Sequence, residues 1–261
     1  MKILKILKRR TRLLILLTLA VVVAVTVTVG MVIRANTMDT RSPRAERDRA
    51  APGAEIPSGR VDCRKAKCIA LTFDGNPGEP TDRLMDLLKE YKAPSTFFLE
   101  GRRIHEFPDV VRRIAEEGHE IGDHTWTHAV LTDVSDARIR DELRRTARAI
   151  AGITGSEPTL MRPPQGRTDD RVSRISAELG MAQVLWTVTA KDYETDDSAL
   201  ITERVLAGAG RDGIVLLHPL HKGTVPAMPA ILKALDEQGY TFVTVSQLLA
   251  PGEAEPGTIY K

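Results

Sequence analysis

His124-Thr-Trp-Thr-His128 places two imidazoles four residues apart, so one helical turn would aim both at a single ion. Asp74 ends an apolar run, Cys68-Ile-Ala-Leu-Thr-Phe73, and His218 ends another, Ile214-Val-Leu-Leu217. A carboxylate and an imidazole brought to one place can act as a base and an acid. Arg162 heads Arg162-Pro-Pro-Gln-Gly166, where it would pair with a carboxylate and two prolines would hold it rigid. Trp186 and then Asp192 follow later in the chain. Each has a plainer reading. Two histidines at this spacing are more often solvated or structural, Arg162 is a surface arginine before a turn, Trp186 is core, and His218 is a hydrogen-bonded strand end. Beside Asp74 and His218, however, His124 and His128 read better as metal ligands.

The elements that must position these residues alternate. Apolar runs at 68–73, 95–99, 119–122, 159–162, 183–187, 213–218 and 241–244 read as strands. Between them lie helical faces such as Leu84, Leu87, Leu88 and Tyr91, capped by Thr81, and Ile139, Leu143, Ala147 and Ile150, capped by Ser135. Strict alternation predicts an α/β fold with a parallel sheet and crossover helices. Periodicity leaves a barrel and an open doubly wound sheet equally allowed. In either, Asp74, Asp123, His124, Arg162, Asp192 and His218 fall at or beyond the carboxyl ends of strands, on the face where α/β proteins build their sites.

The motifs, in this order over about Cys68 to Leu249, resemble the polysaccharide deacetylases, the family 4 carbohydrate esterases with a NodB-like domain. Gly118-His-Glu-Ile-Gly-Asp-His-Thr-Trp-Thr-His128 is similar to the family's metal motif, Arg162-Pro-Pro-Gln-Gly166 to the next and Leu216-Leu-His218 to the last. The resemblance implies a distorted seven-stranded (β/α) barrel and metal-assisted removal of acetyl groups from N-acetylated sugars. It implies Asp74 as general base, His218 as the acid that protonates the leaving amine, Arg162 as the group orienting Asp74, and Asp192 as support for His218. It implies His124 and His128 as ligands of a divalent metal, usually zinc. A backbone N–H near Gln165 would steady the oxyanion, and Pro163, Pro164, Gln165, Trp186, Tyr193 and Leu216 would meet the sugar. Such parts suit the chemistry, because an amide carbonyl needs polarising, water needs deprotonating and an amine leaves only when protonated. The chain departs from the family pattern at Gly75, where a ligand aspartate is usual, and at Gln165, Thr189 and Tyr193. Gly75 implies weak metal binding, with Asn76 and Asp123 as candidate substitutes, and brings in a glycan-binding pseudoenzyme or an O-acetyl sugar esterase as alternatives.

The flanks indicate where the domain works. Residues 1–12 hold Lys2, Lys5, Lys8, Arg9, Arg10 and Arg12 and no acid, and residues 13–33 carry no charge. At about 1.5 Å per residue that run can cross roughly 30 Å of hydrocarbon. The expectation is a single-pass signal-anchor helix in the cell membrane, an inside N-terminus and an extracytoplasmic domain acting on cell-envelope glycan; the alternative is secretion after signal cleavage. Residues 34–60 read as a flexible linker, 61–250 as the deacetylase domain and 251–261 as a disordered tail. Cys63 and Cys68, the only cysteines, would form a disulfide outside the membrane. A net charge of +2, with 37 basic and 35 acidic residues and 4% aromatics, argues against a nucleic-acid partner.

Overall fold

The central strand of the sheet is apolar on both faces because both faces are covered. In this computed structural model, which describes residues 39–51, 53–56 and 60–261, β2 (Cys68–Asn76) is buried along nearly its whole length. It pairs in parallel with β3 (Thr96–Leu99) on one side and β8 (Gly213–Leu217) on the other. Continuous apolar runs are what parallel strands under crossover helices require. The remaining strands are β1 (Thr40–Arg41), β4 (Glu120–Asp123), β5 (Leu160–Met161), β6 (Ala182–Val184), β7 (Val188–Thr189), β9 (Thr241–Phe242) and β10 (Ile259–Tyr260). Their hydrogen-bonded order is β1-β10-β6-β5-β4-β3-β2-β8-β7, with β9 added on β2. All the pairings are parallel. Among the described residues the order begins at β1 and ends at β7, with no pairing between those two, and ten strands take part rather than the seven expected of a barrel.

Helices fill the connections: α1 (Pro43–Arg49), α2 (Pro80–Glu90), α3 (Gly101–Ile104), α4 (Pro108–Glu116), α5 (Asp136–Thr154), α6 (Asp170–Glu178), α7 (Ser198–Gly208), α8 (Thr224–Glu237) and α9 (Val245–Leu249). The long α5 starts where its sequence says it should. The Ser135 hydroxyl accepts from Arg138 N, and Ile139, Leu143, Ala147 and Ile150 are its buried stripe. Thr81 plays a different part from the expected cap. It lies inside α2, its hydroxyl accepting from Gly78 N and donating to Asn76 Oδ1, so it ties the end of β2 to the helix. The expected strand over 183–187 is cut short as β6, which ends at Val184; Trp186 lies in the gap before a separate β7.

Two segments read as unstructured are part of the sheet. Residues 40–49, expected within a linker, form β1 and α1. Glu46 and Arg47 are buried, and Arg47 pairs with Asp212 at 2.6 Å and donates to Leu248 O. The tail ends in β10, which inserts between β1 and β6 and buries Tyr260 completely. The polar composition of both stretches hid the few residues, Glu46, Arg47, Ile259 and Tyr260, that dock them. Cys63 and Cys68 are disulfide-bonded at the entry to β2. The basic and apolar segments at 1–12 and 13–33 lie outside the described residues. Among the described residues no helix is long and apolar enough to cross a membrane.

The inserted tail makes a checkable claim. Tyr260 packs in the core, and its hydroxyl donates to Glu46 Oε2 at 3.2 Å while accepting from Glu255 N. Tyr260→Ala should lower stability by about 3–5 kcal/mol, the range for emptying a buried aromatic site. Urea unfolding followed by circular dichroism measures it, and a loss below about 1 kcal/mol is the result a dangling tail would give.

Candidate active site

Asp74 stands at the end of β2 because the strand carries it there and then bends. The register with β3 slips between Asp74 and Asn76, and Gly75 sits at φ +77°, a left-handed conformation that glycine adopts without a steric penalty. The bulge turns the chain away immediately past the carboxylate. Asp74 is nearly buried, and its Oδ1 accepts from Arg162 Nη1 at 2.7 Å. Arg162 has no exposed surface. It donates to Thr72 Oγ1 at 2.8 Å, to Val184 O at 2.9 Å and to Leu185 O at 3.2 Å, and lies 4.2 Å over the Phe98 ring. Burial pulls the guanidinium's affinity for its proton down, and Asp74 opposes this by charge and hydrogen bond. Arg162 thus holds Asp74 by a hydrogen bond from beneath the cavity rather than from its wall.

His124 follows β4 and is buried. Its Nδ1 donates to Arg162 O at 2.8 Å, which leaves Nε2 unprotonated, 3.7 Å from Asp74 Oδ2. Burial pushes its pKa down to about 4, more than Asp74 pushes it up, so the ring is neutral at ordinary pH. The His128 ring centre lies 4.9 Å from that of His124. The turn that joins them is not helical. Thr125 and His128 have φ of +66° and +59°, and the stretch is held from α5 by buried Glu142, whose carboxylate accepts from Thr127 N and Thr127 Oγ1, both at 2.7 Å. The expectation of one helical turn is replaced by a strained loop that brings the imidazoles together.

On the other side of Asp74, His218 follows β8. Asp192 is buried, and its Oδ1 accepts from His218 Nδ1 at 2.8 Å; Oδ2 accepts from His218 N at 2.6 Å and from the Thr224 hydroxyl at 2.7 Å. Burial lowers the imidazole's pKa, but the hydrogen bond to Asp192 and the charges of Asp74 and Asp192 outweigh it, and the net shift is upward. Nε2 is left as the nitrogen available for proton exchange.

These groups meet in one cavity of about 570 Å³. Of the residues expected to touch a sugar, Gln165, Trp186, Tyr193 and Leu216 line it, with Asp74, Gly75, His124, His128 and His218. Pro163 and Pro164 do not. They are buried behind Gln165, whose φ of +59° turns it outward. Tyr193 is half exposed and edge-on to His218, and Gly166 gives Trp186 its place, since a Cβ there would meet the indole at 2.9 Å. Glu100, Arg102, Thr189, Leu220 and His221 also line the cavity. Glu100 and Arg102 escaped the sequence reading because a charged pair after a strand resembles solvated surface. Their place immediately beyond β3, next to β2, was the available signal.

A divalent ion suits part of this site. His124 offers an unprotonated nitrogen, and His128 stands beside it. Of the two candidate substitutes at the third position, neither lines the cavity, although Asp123 Oδ2 is buried without a hydrogen-bond partner. Asn76 is buried with Oδ1 accepting from Thr81, and Asp123 is fully buried with Oδ1 accepting from Thr125 N. Among the described residues no three His, Cys, Asp or Glu side chains are grouped to hold one ion.

Residues 62–184 match the polysaccharide deacetylase family model. The chain is 37% identical to a solved T48 deacetylase, with a TM-score of 0.74, covering 77% of this chain and 100% of that one. This chain belongs to the polysaccharide deacetylase family. It is also 36% identical over 195 residues to the peptidoglycan-N-acetylglucosamine deacetylase PgdA of Listeria monocytogenes, covering 74% of this chain but only 40% of that longer protein. Another solved relative is BA3943 of Bacillus anthracis, described as a family 4 pseudoenzyme. It is 29% identical, with a TM-score of 0.68, over 76% of this chain and 70% of that one.

The Asp192–His218 pair sets an expected pH profile for turnover. An acid must be protonated, so activity falls as pH rises through the raised pKa of His218. Asp192→Asn removes a charge that raises it, and the alkaline limb of kcat against pH should move to lower pH. An unmoved limb would assign that ionisation to another group.

Proposed function

We propose that this chain is an extracytoplasmic deacetylase that hydrolyses N-acetyl groups on the N-acetylglucosamine of peptidoglycan or of a chitin-like envelope glycan. The observation that carries the reading is the intact pair of proton-transfer groups, Asp74 held by Arg162 and His218 held by Asp192, opening into one cavity. A pseudoenzyme with a sugar groove has no need of either arrangement. The peptidoglycan deacetylase among the relatives supports the choice of glycan.

Asp74 takes the proton from the attacking water. Arg162 holds the carboxylate and keeps it hydrogen-bonded on Oδ1, leaving Oδ2 to face the reaction. His218, protonated on both ring nitrogens, passes its Nε2 proton to the nitrogen of the leaving sugar amine, while Asp192 accepts from Nδ1, favours the charged ring and holds its orientation. In the turn behind Gln165, Gly166 N and Arg167 N donate to Pro163 O and Pro164 O, so the Gln165 N–H takes no part in it and is free to receive a developing oxyanion. A divalent ion on His124 and His128 would polarise the acetyl carbonyl and make water more acidic. Trp186, Tyr193 and Leu216 give the sugar ring an apolar wall.

Acetate release from N-acetylglucosamine oligomers and from peptidoglycan, with zinc supplied in excess, tests the activity. Asp74→Asn and His218→Ala should each reduce turnover by about a hundredfold or more with the fold retained. Acetate from O-acetylated sugars alone would make it an esterase, and binding without acetate would make it a pseudoenzyme.

The membrane anchor belongs to the same proposal. Its support is the basic residues 1–12 followed by the uncharged residues 13–33, and the oxidised Cys63–Cys68 pair suits an exported domain. Protease added to intact cells should digest the domain. Full protection would place it inside, and a mature protein starting beyond Val32 would mean that the leader is cleaved.

A further inference from the structure

The family pattern puts a carboxylate where this chain has Gly75, and the backbone shows that the change is more than the loss of a side chain. At φ +77° on a bulge, position 75 holds a conformation suited to glycine, and a Cβ there would point into open space with nothing within 4 Å. An aspartate at 75 would be strained and would face no neighbour. The strand end is built for glycine, so a third protein ligand has to come from elsewhere.

Glu100 is the one further carboxylate on the cavity wall. It follows β3, which lies between β2 and β4, the strands that deliver Asp74 and His124. Its backbone N–H donates to Asn76 O at 2.8 Å, which fixes it beside the Gly75 bulge. The residue is 6% exposed, and Oε1 is buried with no hydrogen-bond partner. Arg102 Nε touches that oxygen without hydrogen-bond geometry, and Arg102 itself is 58% exposed. A buried carboxylate oxygen on a cavity-lining residue, paired only with an exposed guanidinium that can retreat into water, is under-satisfied.

We infer that Glu100 is the third protein ligand of the metal, turning from Arg102 toward His124 and His128 when a divalent cation enters, in place of the carboxylate missing at Gly75. The inference rests on the metal-assisted reading above. Two imidazoles and a glutamate form a donor set that suits catalytic zinc, and they leave a position open for water or substrate. The glutamate's three side-chain torsions allow the turn without moving β3. The negative charge that two imidazole ligands do not carry is then supplied without taking Asp74 from Arg162.

Zinc titration of the metal-stripped chain against a chromophoric chelator is the test, on the parent, Glu100→Gln and Arg102→Gln. Thermal midpoints of the stripped proteins check that each still folds. The parent should bind one zinc per chain. Glu100→Gln should bind it at least about tenfold more weakly, and Arg102→Gln should bind it as tightly as the parent or more so, because the competitor for Glu100 is gone. Equal affinity of the parent and Glu100→Gln overturns the assignment, as does equal weakening in both variants, which would give the effect to the ion pair. A parent without a zinc site overturns it too. Acetate release separates this from the functional reading: a parent that releases acetate while Glu100→Gln titrates unchanged loses only the role of Glu100. A parent that releases none while Glu100→Gln loses zinc keeps that role and loses the deacetylase reading.

Discussion

The buried pair of Asp74 and Arg162 is the constraint on which the rest of the site depends. A guanidinium with no exposed surface is costly unless its donors are matched, and removing one partner of such a pair typically costs about 3–5 kcal/mol. Arg162 meets that demand with the carboxylate and hydroxyl of β2 and with two carbonyls at the end of β6. Three strand ends are thereby tied to one planar group. Its own carbonyl accepts from His124, so the same residue also sets the tautomer of the imidazole that follows β4. The Asp74 carboxylate, the His124 ring nitrogen and the register of the strand ends are not independent choices.

Around that pair the chain accepts backbone conformations that ordinary side chains resist. Gly75, Thr125, His128 and Gln165 all have positive φ, and all lie at the ends of strands around the cavity. Outside glycine, such conformations cost about 1–3 kcal/mol each and persist only where neighbours fix them. Here the neighbours are identifiable: Glu142 grips Thr127, Asp123 accepts from Thr125 N, and the Pro163 and Pro164 carbonyls close the turn at Gln165. Burial raises the pKa of Asp123 well above its ordinary value, against the hydrogen bond from Thr125 N.

Much of this was legible in the sequence, for a physical reason. Strands such as 68–73 and 213–217 are apolar because both faces are covered, and a polar residue at the end of such a run has nowhere to go but the lip. Asp74, His124 and His218 were readable on that ground alone. The sequence also marked Ser135 as a cap and the four-residue face of α5. It could not show how the sheet ends, since alternation is the same in a barrel and an open sheet. It hid β1, α1 and β10, whose hold comes from isolated ion pairs and one tyrosine rather than from periodicity. Thr224, Glu142 and Glu100 were invisible for the same reason. Each acts through one contact made across the fold, and a single polar residue on a helix or loop carries no period that would reveal its partner.

The charges at the lip bear on whether one carboxylate could serve both as the proposed base and as the proposed metal ligand. Asp74 and Arg162 neutralise each other, as do Asp192 and a protonated His218, and His124 is neutral. A divalent cation entering between the two imidazoles would therefore meet no uncommitted anion from these groups. Were Asp74 to turn fully to the ion, Arg162 would be left buried with one donor unmatched, and the proton acceptor for water would be lost in the same movement. Glu100 has no such commitment, because its counterion is an exposed arginine with water to fall back on. The loss of a carboxylate at position 75 can thus be made good from β3 without disturbing the pair beneath the cavity, whereas recruiting Asp74 would dismantle the part of the site that the fold is built to hold.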